Sequence, residues 1–114
     1  IAAAAVRVAG ALGARALVAF TQTGETARSL ARHRPSIPVL AFTSDPAVRS
    51  QLALTWDVET FQVPTMGDID HGLAQVDEVM CERGARAGDR VVVLAGQPGQ
   101  AGSTHTVRIH EVRA

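Results

Sequence analysis

The sequence predicts an α/β domain, a three-layer αβα arrangement around a five-stranded, mostly parallel sheet whose last strand is antiparallel at an edge. Three observations carry this expectation. Residues 15–20, 37–42 and 91–95 are almost wholly apolar runs of strand length, as expected of strands buried on both faces of a parallel sheet. Between these runs apolar residues recur at helical spacing, so strands and helices alternate. The final segment follows a glycine-rich loop instead of a helix, which suits an antiparallel return.

Ile1, Ala5, Val8 and Leu12 form a helical stripe with Arg7 off it, and Gly13 follows as a C-cap. The run Arg15 to Phe20 is the first strand, ended by the polar stretch Thr21 to Thr26. From Glu25 to Arg34, the residues Ala27, Leu30 and Ala31 make one apolar face and Arg28 and Arg32 lie a turn apart on another, until Pro35 ends the helix. After the strand 37–42, Thr43-Ser44-Asp45-Pro46 supplies a cap and a first-turn proline, and Val48, Leu52 and Trp56 mark the next inner face. Residues 58–63 form a shorter, more polar strand stopped by Pro64 and placed near an edge. Asp68 and Asp70 open a helix whose stripe is Ile69, Leu73, Val76 and Met80, with Gly84 closing it. The strand 91–95 empties into the loop from Gly96 to Ser103, and Thr104 to about Arg113 alternates Val107 and Ile109 with polar residues.

With 114 residues, 46% hydrophobic and 19% charged, the chain fits one domain with one core. Eleven basic and eleven acidic residues cancel, which argues against a nucleic-acid partner and against a membrane surface. Every basic residue is Arg, so no lysine can act as Schiff base, general base or P-loop phosphate ligand. The single Cys81 precludes an internal disulfide and fits a cytoplasmic location. Because the chain starts at Ile1 inside a helical pattern, it reads as a segment of a longer polypeptide.

Ligands of open parallel sheets gather beyond the carboxyl ends of the strands. The loop Thr21-Gln22-Thr23-Gly24-Glu25-Thr26 leaves such an end and enters a helix. With Thr23 as its cap, the three threonine hydroxyls and the amides of residues 24–26 could face one point and hold a phosphate. Helix capping alone also accounts for these threonines. The second loop, including Gly96, Gln97, Pro98, Gly99, Gly102, Ser103 and Thr104, could close over the same place or be a simple turn.

The segments Ala16 to Thr26, Ala27 to Pro35, Ile37 to Thr43, Thr55 to Pro64, Gly88 to Gly96 and Gly102 to His110 together resemble the C-terminal domain of pyruvate kinases. The arginine-rich, lysine-free form is similar to actinobacterial members. The resemblance implies a regulatory role for residues 1–114, with a phosphorylated metabolite held by Thr21, Thr23, Gly24 and Thr26 and covered by the loop from Gly96 to Ser103. It places phosphoryl transfer between phosphoenolpyruvate and ADP, with Mg²⁺ and K⁺, in a separate β/α-barrel, leaving this chain with no catalytic residue and no cofactor of its own. Gln22 and Glu25 stand where fructose-bisphosphate-activated relatives have a basic residue, and no Trp or Arg lies between Gly67 and Val79 to hold a second phosphate. A monophosphate, either a sugar phosphate or AMP, is therefore the expected effector. His105 replaces the family's usual Asn in the second loop. The resemblance also implies a homo-oligomer joined through the edge strand 104–113. A free-standing phosphometabolite-binding domain is the alternative.

The remaining polar residues read as structural. His33, His71, His105 and His110 lack metal-ligand spacing and are expected at the surface, and Asp68, Asp70 and His71 suit a helix start. Cys81 lies beside its helix's apolar stripe and Trp56 is expected to pack on the sheet.

Overall fold

The computed structural model describes residues 1–55, 57–64, 69–95 and 106–113. In chain order the elements are α1 (Ala2–Leu12), β1 (Leu17–Phe20), α2 (Glu25–Arg32), β2 (Val39–Thr43), α3 (Pro46–Leu52), β3 (Val58–Gln62), α4 (Ile69–Glu82), β4 (Arg90–Ala95) and β5 (Thr106–Glu111). The sheet order is β3-β2-β1-β4-β5. The first four strands are mutually parallel, and β5 pairs antiparallel with β4. This is the predicted architecture, with β3 and β5 as the two edges.

The wholly apolar runs sit where the fold buries both faces. All residues of β1 and β2 are buried, as is β4 from Val91 to Ala95. Alternate residues feed two cores. Leu17, Ala19, Val39, Ala41, Val92 and Leu94 meet α1, α2 and α3 on one face. Val18, Phe20, Leu40, Phe42, Val91 and Val93 meet α4 on the other. Such burial contributes roughly 1.5–3 kcal/mol per large side chain.

Several local expectations change. The buried face of α1 is Ala2, Ala5 and Ala9, whereas Ile1 is 60% exposed and Val8 only partly covered. Small side chains let α1 lie close over the sheet and α2, so the inner face follows size more than hydrophobicity. Gly13 ends α1 at φ 64, as predicted. Asp45 caps α3, accepting from the Ala47 amide at 2.9 Å, but α3 stops at Leu52 and does not reach position 56. Trp56 and Asp68 lie outside the described residues, as does His105.

His110 is not a surface histidine. It is 8% exposed on β5, and its Nε2 lies 2.8 Å from Asp77 Oδ1 on α4. That carboxylate also accepts from the Arg113 amide at 3.2 Å, so one α4 side chain secures the end of the edge strand. Val107 and Ile109, opposite Leu94 and Val92, project on the α1 side of the sheet and remain 38% and 51% exposed.

Candidate functional site

The parallel strands share one direction, so their carboxyl ends open on one rim, where β1 hands over to α2. The Thr21 amide still donates to Phe42 O at 2.9 Å, which extends the sheet to the first residue of the loop. Its Oγ1 accepts from the Gly24 amide at 2.8 Å, and Thr23 Oγ1 accepts from the Glu25 amide at 3.3 Å. Two of the three amides expected to face a ligand are therefore bonded within the loop. The reason is local: threonine hydroxyls compete for nearby backbone donors at helix starts. Each accepting hydroxyl keeps its own O–H to donate.

The N-cap of α2 is Gly24, not Thr23. Its φ of 87° is the left-handed conformation that glycine adopts without steric penalty. A side chain there would also meet Arg28, whose guanidinium atoms lie 3.0–3.2 Å from the position of a Cβ. Thr21 and Thr26 are buried at 4% and 8% exposure, Gln22 and Thr23 are half-buried, and Glu25 is exposed.

Arg28 is the residue that the sequence reading did not assign to this loop. It donates to Thr23 O at 3.1 Å and to Gln51 Oε1 on α3 at 3.5 Å, and it lies 3.6 Å from Glu25 Oε2. Glu25 also pairs with Arg32 at 3.4 Å. The signal was its place four residues after Gly24, which in a helix brings a side chain back over the first turn. The loop is thus acidic in sequence at Glu25 but carries an adjacent guanidinium in space. A recess of about 360 Å³ opens beside it, lined in part by Thr26, Ser29, Arg32 and Leu94.

Of the predicted site residues, Thr21, Gln22, Thr23, Gly24, Glu25 and Thr26 are contiguous at this rim. Gly96, Gln97, Pro98, Gly99, Gly102, Ser103 and Thr104 lie outside the described residues. Among the described residues, no three His, Cys, Asp or Glu side chains group as a metal site, and no helix is long and apolar enough to cross a membrane.

Residues 1–110 match the family model for the pyruvate kinase α/β domain. Pyruvate kinase of Mycobacterium tuberculosis (strain H37Rv) is 50% identical over 103 residues, covering 89% of this chain and 22% of that protein. Pyruvate kinase of Corynebacterium efficiens is 46% identical over 105 residues, covering 90% of this chain and 22% of that protein. The fold is also similar to a structure of Cryptosporidium parvum pyruvate kinase in complex with ADP, with a TM-score of 0.88 and 23% identity over 99% of this chain and 23% of the other. The chain therefore spans between a fifth and a quarter of the length of these relatives.

Proposed function

The chain belongs to the pyruvate kinase family as its α/β domain, and on that premise we propose that it is a regulatory and assembly module whose 21–26 loop binds a phosphorylated metabolite. The observation that carries this reading is the start of α2: a left-handed glycine, flanking threonine hydroxyls and a guanidinium converge at the carboxyl end of a central strand. A helix amino end presents N–H donors and partial positive charge, which suits a phosphate. Gln22 and Glu25 make a monophosphate, either a sugar phosphate or AMP, the fitting class.

The parent reaction would be phosphoryl transfer between phosphoenolpyruvate and ADP, giving pyruvate and ATP in the cytoplasm. Mg²⁺ and K⁺ would serve that reaction in a catalytic portion beyond this chain. Here the residues of the loop orient an effector and perform no chemistry.

A ligand that binds only the folded chain raises its stability, by about 2.7 kcal/mol at a hundredfold excess over Kd. Glucose 6-phosphate and AMP are the probes, and one of them should raise the melting temperature by several degrees. Thr21→Ala with Thr23→Ala should abolish that rise, because the two hydroxyls set the loop and supply its donors. An undiminished rise in the double variant would remove the loop from the site.

Assembly is the second role, favoured by one observation: β5 is an edge strand that exposes Val107 and Ile109. An uncovered edge with apolar side chains is a template for pairing, and a two-fold axis would bring it against its own copy. Residues 104 and 105 of that predicted surface lie outside the described ones. Sedimentation should show a self-associating species at micromolar concentration, with Ile109→Arg reducing it to monomer. A wild-type monomer under those conditions would count against the assembly role of the isolated chain.

A further inference from the structure

We propose that the cleft beside α2 is a second anion-binding site, adjoining the 21–26 loop and sharing Arg28 with it, that takes a small molecule carrying two phosphate groups. The cleft measures about 570 Å³ and is lined by Arg28, Ala31, Arg32, Arg34 and Thr55. Its size falls within the roughly 300–1,000 Å³ of small-molecule sites. Three arginines line it, and two of them, Arg28 and Arg32, pair with the exposed carboxylate of Glu25. Ala31 leaves room between the cations, and Thr55 adds a hydroxyl from beyond the end of α3.

Arg34 separates a binding reading from a structural one. It follows the C-cap His33 of α2 with φ 45°, and its amide donates to Ala31 O at 3.0 Å. At this left-handed position glycine is the favoured residue. The same chain uses Gly13 at φ 64° after α1 and Gly84 at φ 89° after α4. Arginine here is backbone-strained, and among the described residues its guanidinium makes no hydrogen bond or ion pair that would offset the strain. Strain retained at a charged, unpaired side chain facing a cleft marks a functional constraint.

The spacing indicates two anionic groups. Arg28 stands in the first turn of α2 and Arg34 just past its C-cap, so cations from both ends of the helix line the one cleft. Arg28 is pre-positioned by Thr23 O and Gln51, so one phosphate can meet a fixed fork. Arg34 meets the other, and Arg32 lies between them. The ion pairs of Glu25 are exposed and weak, so a diphosphate can displace the carboxylate.

The test is calorimetric titration and thermal unfolding of the intact chain with inorganic pyrophosphate, using orthophosphate at matched ionic strength as control. Pyrophosphate should bind at least tenfold more tightly than orthophosphate. Arg34→Gly should weaken it at least tenfold while unfolding at or above the wild-type temperature, since glycine relieves the strained backbone. Arg34→Gln, which keeps the backbone as it is, should show the same loss of binding. Thr21→Ala with Thr23→Ala should leave pyrophosphate binding intact, so failure of this site and failure of the loop site are separable. No binding to wild type, full binding by both Arg34 variants, or loss confined to the threonine variant would each overturn the proposal.

Discussion

Gly72→Ala is expected to lower the unfolding midpoint by roughly 4–12 °C, equivalent to about 1–3 kcal/mol in a chain of this size. Gly72 lies on α4 where the helix crosses Phe20, and a Cβ there would stand 2.5 Å and 2.8 Å from two ring carbons. Neither partner can yield easily. Phe20 is 7% exposed and packs against Phe42 at 5.3 Å between ring centroids, and Phe42 stacks in turn on Phe61 at 5.0 Å. Helix propensity acts in the opposite direction, since alanine is favoured over glycine inside a helix by about 1 kcal/mol. Overpacking a close-packed core outweighs it, because α4 must lift or the aromatic row must shift. Thermal unfolding measures the loss, and an unchanged or raised midpoint would show that α4 can move freely over the sheet. Because Phe20 directly precedes Thr21, the same variant should also weaken metabolite protection. Phe20→Leu in the Gly72→Ala background should recover part of the stability, a coupling that a double-mutant cycle resolves.

The fold was legible because its central strands obey a simple rule. A strand buried on both faces must be apolar at nearly every position, and 15–20, 37–42 and 91–95 declare themselves by that rule. The polar composition of 58–63 likewise placed β3 near an edge. What escaped was set by partners remote in sequence. The alanine face of α1 depends on how closely the sheet and α2 approach, which the Ile1, Val8 and Leu12 stripe does not encode. The loop was visible as threonines and glycine before a helix, but the arginines that gather beside it were not. Glu25 is drawn outward to Arg28 and Arg32, and Arg28 turns back over Gly24. Helical periodicity could have placed Arg28 there, but nothing local shows that Gln51 from α3 would help to hold it.

His110 is the other residue whose role only the fold supplies, and its removal should cost at least as much as the Gly72 substitution. His110 and Asp77 are 33 positions apart, and their side chains are 9% and 15% exposed at a separation of 2.8 Å. A carboxylate can only accept, so the imidazole Nε2–H donates to it. His110→Ala deletes that donor and leaves a largely desolvated carboxylate with the Arg113 amide alone. An acceptor stranded in this way costs about 1–3 kcal/mol, with charged groups at the upper end, so a loss of about 2–3 kcal/mol is expected. Asp77→Asn should cost less, because the side-chain amide oxygen still accepts from both partners while the charge to be solvated is gone. The order of the two variants is the diagnostic, and equal losses would mean that shape alone matters. Since the pair joins β5 to α4, His110→Ala should also loosen the edge that presents Val107 and Ile109. Hydrogen exchange should quicken first in β5, at the amides of Arg108 and His110, while those of β1 and β2 stay protected to the limit of global unfolding. Uniform acceleration across all five strands would place His110 in the common core and leave the edge strand without a separate anchor.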